Sequence, residues 1–195
     1  MKAILRDFFR YNLSMLIRAA VITAVCVACL AITGMYTRND IRIAAIAVTA
    51  FLGLAFLWLL AQVFIAAPAR FGKRLEKLTE EERTEVLGAY DKSIEFGNKR
   101  IFNGADMFIF FYKMNIYPVR FGDIAKIDID LRAGGVRATL KDESELFIPA
   151  DKQESLDLFW KMIQLKNSDV EATFDGKSGK EAREEINKRY QTEDN

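Results

Sequence analysis

The chain has 195 residues, room for a membrane anchor and one further domain of about 100 residues, and it contains no histidine, the commonest general base and metal ligand. Its formal net charge of +1 hides an asymmetry: residues 1–78 hold ten Lys/Arg against three Asp/Glu, and residues 79–195 hold eighteen against twenty-four. The basic first part suits a surface facing anionic lipid, whereas the acidic remainder excludes nucleic acid as a partner, since that needs a concentrated basic face.

Residues 1–18 place Lys2, Arg6 and Arg10 at i, i+4, i+8, with Ile4, Leu5, Phe8 and Phe9 largely off that stripe. This is the pattern of an amphipathic helix in the membrane interface, or of a polar extension of the first membrane helix. No charge occurs from Ala19 through Thr37. The long basic lead, the lack of a small-x-small cleavage site and the prompt second apolar run make this a retained helix rather than a signal peptide. Cys26 and Cys29 form a CxxC inside it. With no nearby charge to stabilise a thiolate, they read as small packing residues, not a redox or metal pair.

The second run, Ile43–Ala67, sits in a stretch of 27 uncharged positions between Arg42 and Arg70. About 20 apolar residues cross the roughly 30 Å of bilayer hydrocarbon as a helix. Residues 19–69 therefore read as a two-helix transmembrane hairpin, with spans at about 15–37 and 43–68 and a turn at Arg38-Asn39-Asp40. Small residues recur four apart at Ala20, Ala24 and Ala28 and at Ala45, Thr49 and Gly53, which lets helix backbones approach. Neither apolar run, 19–37 or 43–67, carries a charged side chain, which argues against transport by this chain alone. Lys2, Arg6, Arg10, Arg18, Arg70, Lys73, Arg74 and Lys77 flank the hairpin outside its turn, against Arg38 and Arg42 within it. The positive-inside rule then predicts a multi-pass protein of the plasma (inner) membrane with both termini cytoplasmic.

Pro68 is expected to end the second helix or its last turn. Residues 70–91 read as a juxtamembrane linker, with Thr79 and Glu82 as a capping box for a short helix. From Ser93 the period falls to two. Short strands are expected at Ser93–Phe96, Lys99–Phe102, Met107–Lys113 (too apolar to be other than central) and Asn115–Phe121 (an edge strand because of Pro118). They continue at Ile124–Arg132, Val136–Lys141 and Glu145–Pro149, with tight turns at Asn103-Gly104 and Gly134-Gly135. Asp128 and Asp130 alternate with Ile127 and Ile129, the ordinary way to keep one face of a sheet wet. Six or seven such strands predict an antiparallel meander closing toward a barrel. A helix follows, with Asp151 and Glu154 at its start and Leu156, Phe159, Trp160 and Ile163 on one face, expected to plug the open end. Residues 167–195 read as a polar, mobile tail in which Ser178 and Glu181 cap a short charged helix to Tyr190.

The order of seven short strands and one amphipathic C-terminal helix, carried by GNKRIFNGADMFIFFYK, VRFGDIAKIDID and LDLFWKMI, resembles a pleckstrin-homology-like (PH-like) domain over residues 92–166. With its two leading helices the chain is similar to bacterial membrane proteins that carry a cytoplasmic PH-like domain on a two-helix anchor. The resemblance implies an α+β soluble domain and no cofactor. Phosphoinositide-binding PH domains place cations around the first hairpin, and the corresponding residues here are Lys92, Lys99 and Arg100, a headgroup or partner contact unless simply solvated. No phosphate loop, nucleophile elbow or metal-ligand spacing accompanies them, so an enzyme is not expected. The function expected is a membrane-anchored interaction module that binds a protein partner or a second copy of itself. The alternative is anionic-lipid sensing by the basic juxtamembrane region and first hairpin.

Overall fold

The computed structural model describes residues 1–36, 39–96, 99–102, 106–130, 135–149, 153–174 and 177–178. The chain divides into a helical unit, Met1–Arg83 with Lys113–Ile116, and a β-rich unit, Thr84–Tyr112 with Tyr117–Asn195.

In the helical unit, α1 runs unbroken over Lys2–Tyr36. At about 1.5 Å per residue that is about 52 Å of helix, so the basic lead extends the apolar run as one rod. The second rod comprises α2 (Asn39–Ala61), a π turn (Gln62–Ala66) and α3 (Ala67–Leu75). Both rods are long and apolar enough to cross a membrane. Pro68 does not end the second one, contrary to expectation. A proline lacks the N–H that a regular helix needs at an interior position. Here the ladder widens just before it: Ala67 N–H donates to the Gln62 carbonyl, and Pro68 falls in the first positions of α3, where no donor is required.

Each rod buries a stripe of every fourth residue, Ile4, Phe8, Asn12 and Leu16 on α1 and Val63, Ala67, Phe71 and Leu75 on the other. Phe9 and Phe64 lie side by side, ring centroids 4.8 Å apart. The buried Asn12 is satisfied locally, its Nδ2 donating to the Phe8 carbonyl at 2.9 Å, and Thr23 Oγ1 donates to the Ala19 carbonyl at 2.9 Å. Cys26 and Cys29 are not joined in a disulfide. The capping box forms as expected: Thr79 N–H donates to Glu82 Oε2 at 2.8 Å, and Glu82 N–H to Thr79 Oγ1 at 3.3 Å. It starts α4 (Glu80–Gly88).

The seven strands follow the expected order: β1 Ile94–Phe96, β2 Lys99–Ile101, β3 Met107–Tyr112, β4 Asn115–Arg120 (its first two residues counted with the helical unit), β5 Ile124–Asp130, β6 Gly135–Leu140 and β7 Glu145–Pro149. β3 is central and buried on both faces, and β4, which holds Pro118, lies at a sheet edge. The expected barrel is not closed. β1-β2-β3-β4 form one sheet, and β7-β6-β5-β8-β9 form another. The reason lies in what occupies β5. A 3-10 turn at Phe121–Asp123 separates it from β4. The β5 edge that β6 leaves free is filled by β8 (Glu171–Phe174), which runs parallel to it with Ile127 opposite Ala172.

For residues 170–174 that strand replaces the expected loosely attached tail with packed chain. Val170 and Ala172 point into the core, and Thr173 Oγ1 donates to the Ile127 carbonyl at 3.1 Å. Ser178 belongs to β9 (Lys177–Ser178) rather than to a helix cap, and the charged helix expected beyond it lies outside the described residues. Asn103-Gly104, Asp151 and Gly134 also lie outside them.

Both sheets and α5 (Gln153–Lys166) contribute to one core: Phe108 and Phe110 from the first sheet, Ile127, Ile129, Val136 and Ile148 from the second, and Phe159, Trp160 and Ile163 from α5. Phe108 meets Phe159 edge-on at 5.2 Å and Phe121 at 4.8 Å. Asn167 closes the far end of α5, its Nδ2 donating to the carbonyls of Phe121 at 3.0 Å and Ile124 at 2.8 Å.

Candidate functional site

The three cations singled out from the sequence lie in the first hairpin (Lys99, Arg100) and just before it (Lys92), and the fold does not bring them together. Lys99 and Ile101 share a face of β2 because side chains alternate along a strand. Ile101 is core, so Lys99 turns inward with it and is only 2% exposed. Its Nζ donates to the Pro149 carbonyl and stands 5.9 Å from the Phe159 ring centroid. Arg100 takes the opposite face. It pairs with Glu95, its cross-strand neighbour, at 2.9 Å and lies over the Tyr90 ring at 5.2 Å. Lys92 ends the 3-10 turn Tyr90–Lys92 and is exposed. The inward turn of Lys99 was legible from its spacing to Ile101, once Ile101 is granted to the core.

A second cluster was missed as a site, because its arginines read only as markers of topology. Arg70 and Arg74 stand one turn apart on α3. Arg70 donates from Nε to Asn115 Oδ1 at 2.7 Å, from Nη1 to Gln62 Oε1 at 3.1 Å and from Nη2 to the Met114 carbonyl at 3.3 Å. Arg74 Nη1 donates to the Ile116 carbonyl at 2.7 Å. Together they hold the turn between β3 and β4, which belongs to the helical unit. That turn has two non-glycine residues at positive φ, Lys113 at 42° and Met114 at 53°. Held on carbonyl and amide oxygens, these guanidiniums serve as clamps.

The third cluster is the basic stripe of α1. Lys2, Arg6 and Arg10 are exposed, and with Leu5, Phe9 and Leu13 they line an apolar recess of about 470 Å³. Arg6 pairs with Asp7 at 3.3 Å.

No group of three metal-ligating side chains comes together among the described residues. The described residues present an apolar band on the rods, a basic rim at the N-terminal end of α1, and a β-rich unit in which Lys99 and Arg100 have internal partners while Lys92 is exposed. Comparison of the chain with protein-family models, with curated proteins and with solved structures finds no match in any of the three.

Proposed function

We propose that this chain is a membrane-anchored, non-catalytic interaction module that presents a PH-like domain, opened into two sheets, at the cytoplasmic face of the plasma (inner) membrane. The observation that carries the reading is how apolar surface is sorted. Among the described residues every exposed large hydrophobic side chain lies within residues 1–65, except Ile94 and Leu165. Among them are Val21, Val25, Ile46, Phe51, Leu54 and Leu57, each about half exposed or more. Monomeric soluble surfaces seldom carry contiguous apolar area on this scale, whereas a hairpin in lipid requires it. Apart from Ile94 and Leu165, the described large apolar groups of the β-rich unit are not exposed, as in a domain in water.

The eight cations flanking the hairpin outside its turn support a cytoplasmic placement of both termini. The non-catalytic part of the reading rests on the absence of histidine and of any nucleophile or phosphate-loop motif. The partner in this reading is a protein or a second copy of the chain, met at the bilayer.

Crosslinking in native membranes, followed by identification of what is attached to the β-rich unit, tests the module. One recurrent protein, or a crosslinked dimer of the chain, is the expected result. Failure to recover either overturns protein interaction and leaves lipid sensing, the second reading. In favour of that second reading is the exposed stripe of Lys2, Arg6 and Arg10. The hairpin contributes only Lys92, because Lys99 and Arg100 are engaged elsewhere.

A further inference from the structure

The two rods do not run out of apolar residues at the same level. The second is uncharged over 27 positions between Arg42 and Arg70, and the first over 19, between Arg18 and Arg38. The difference is about 12 Å of helix. The Phe9–Phe64 ring contact sets their register. Residues 5–13 of α1, beyond the end of its own uncharged run, thus stand beside apolar turns of its partner. At that level Phe64 is 52% and Ile65 70% exposed.

The α1 surface there has two adjacent stripes. Each cation is followed three residues later by an apolar side chain: Lys2 by Leu5, Arg6 by Phe9, Arg10 by Leu13. Residues three apart are neighbours on a helix, so a basic edge about 12 Å long borders an apolar strip of equal length. Among the described residues Lys2 and Arg10 have no hydrogen-bond or ion-pair partner, and Asp7, paired with Arg6, is the one acidic side chain in residues 1–18. The recess they line, about 470 Å³, is nearly all apolar in its walls.

We propose that this recess binds one anionic phospholipid of the cytoplasmic leaflet. An acyl chain lies along Leu5, Phe9 and Leu13, and the phosphate is held among Lys2, Arg6 and Arg10. The occupant follows from the site. An apolar strip continuous with the exposed band of the rods asks for a hydrocarbon chain, and three cations on one border ask for negative charge at the chain's head. A cation near an anionic headgroup strengthens binding several-fold, so Lys2 and Arg10 alone, with Arg6 shared between Asp7 and the phosphate, separate an anionic lipid from a zwitterionic one by tenfold or more. The inference rests on the membrane reading above.

The test uses the full chain purified in mild detergent and native mass spectrometry with added phosphatidylglycerol or phosphatidylcholine. The expected result is at least about tenfold preference for phosphatidylglycerol. It should be abolished in the triple variant K2Q/R6Q/R10Q and retained in K2R/R6K/R10K. The pair L5A/L13A, on partly exposed positions, should weaken retention of phosphatidylglycerol while keeping the preference of what remains. Glycerol phosphate in excess should not displace the lipid. Equal retention of the two lipids, an unchanged triple variant, or displacement by glycerol phosphate each overturns the site, the last because it assigns binding to the phosphate alone. Alkaline extraction of membranes is run beside it. A chain that stays in the membrane without lipid preference overturns this site only, whereas release from the membrane overturns the anchor itself.

Discussion

Arg70 and Asn115 are 45 positions apart in sequence, yet Arg70 Nε donates to Asn115 Oδ1 at 2.7 Å. The same guanidinium also reaches Met114 and Gln62, so one side chain ties the end of a membrane-type helix to a hairpin turn. Hydrogen bonds from a charged donor contribute about 1.5–3 kcal/mol each when their partners are otherwise left short. Arg70→Ala should therefore cost on the order of 2 kcal/mol. Amide exchange at residues 113–116, read by mass spectrometry on the full chain, should accelerate by tenfold or more. Unchanged exchange there would show that the turn is held by its own strand pairing.

The turn itself carries backbone strain at Lys113 and Met114, both in left-handed conformation. Two-residue hairpin turns of this hand favour Asn-Gly, because glycine meets no Cβ penalty and asparagine little. The double variant K113N/M114G should raise stability by about 0.5–1 kcal/mol. Denaturant midpoints of the variant and the parent chain, measured in the same detergent, decide it. A lower midpoint would mean that the two replaced side chains contribute more than their conformation costs.

Much of the architecture was legible because its causes are local. A charge-free run of 27 positions specifies a rod by itself, and Thr79 with Glu82 cap α4 through bonds three residues long. The strands showed through alternation, as in Ile127 and Ile129 against Asp128. What escaped was set by distant partners. β8 is short and flanked by polar residues, and its partner β5 lies more than forty positions upstream. The alternation of Val170, Ala172 and Phe174 was present, but composition outweighed it. The clamp of Arg70 and Arg74 was hidden for the same reason, since nothing near them in sequence announces a hairpin turn. Pro68 misled because a π turn can precede a proline and spare the helix.

If β8 completes the second sheet, it should be intolerant of charge. Ala172 is 5% exposed and faces Ile127 across the parallel pair. Ala172→Asp would place a carboxylate in the core without a counter-ion, at a cost of several kcal/mol. Glu171→Gln, on the exposed neighbouring position, should change stability by under about 0.5 kcal/mol. Thermal unfolding of both variants separates a packed strand from an ornamental one, and equal midpoints would remove β8 from the core.

Gly135 begins β6 opposite Pro149 on β7. A Cβ built there would stand 2.6 Å from the Ile148 carbonyl oxygen and 2.7 Å from Phe147 Cζ. The ring can turn aside, but the carbonyl belongs to the β6–β7 ladder and cannot move without breaking it. Gly135→Ala should therefore destabilise by about 1–3 kcal/mol, the usual cost of overpacking. Adding Phe147→Leu removes the ring clash and leaves the carbonyl clash, so it should recover less than half of the loss. Full recovery would place the strain in the ring alone.

Trp160 settles how α5 docks. It is 2% exposed within the core, between Phe159 and Ile163, and its Nε1 has no hydrogen-bond partner among the described residues. Truncation and aromatic replacement should thus diverge. Trp160→Ala removes a large buried side chain and should cost about 3–5 kcal/mol. Trp160→Phe gives up part of that volume and no hydrogen bond, while relieving a buried N–H of its desolvation. Since an unmade bond costs about 1–3 kcal/mol, the relief offsets much of the lost packing, and the net cost should stay under about 1.5 kcal/mol. The comparison is read from denaturant midpoints with equal slopes. A loss from Trp160→Ala below about 1 kcal/mol would mean that α5 does not bury this face. A large loss from Trp160→Phe would instead assign the indole N–H a partner, because only a made hydrogen bond would turn its removal from a relief into a cost.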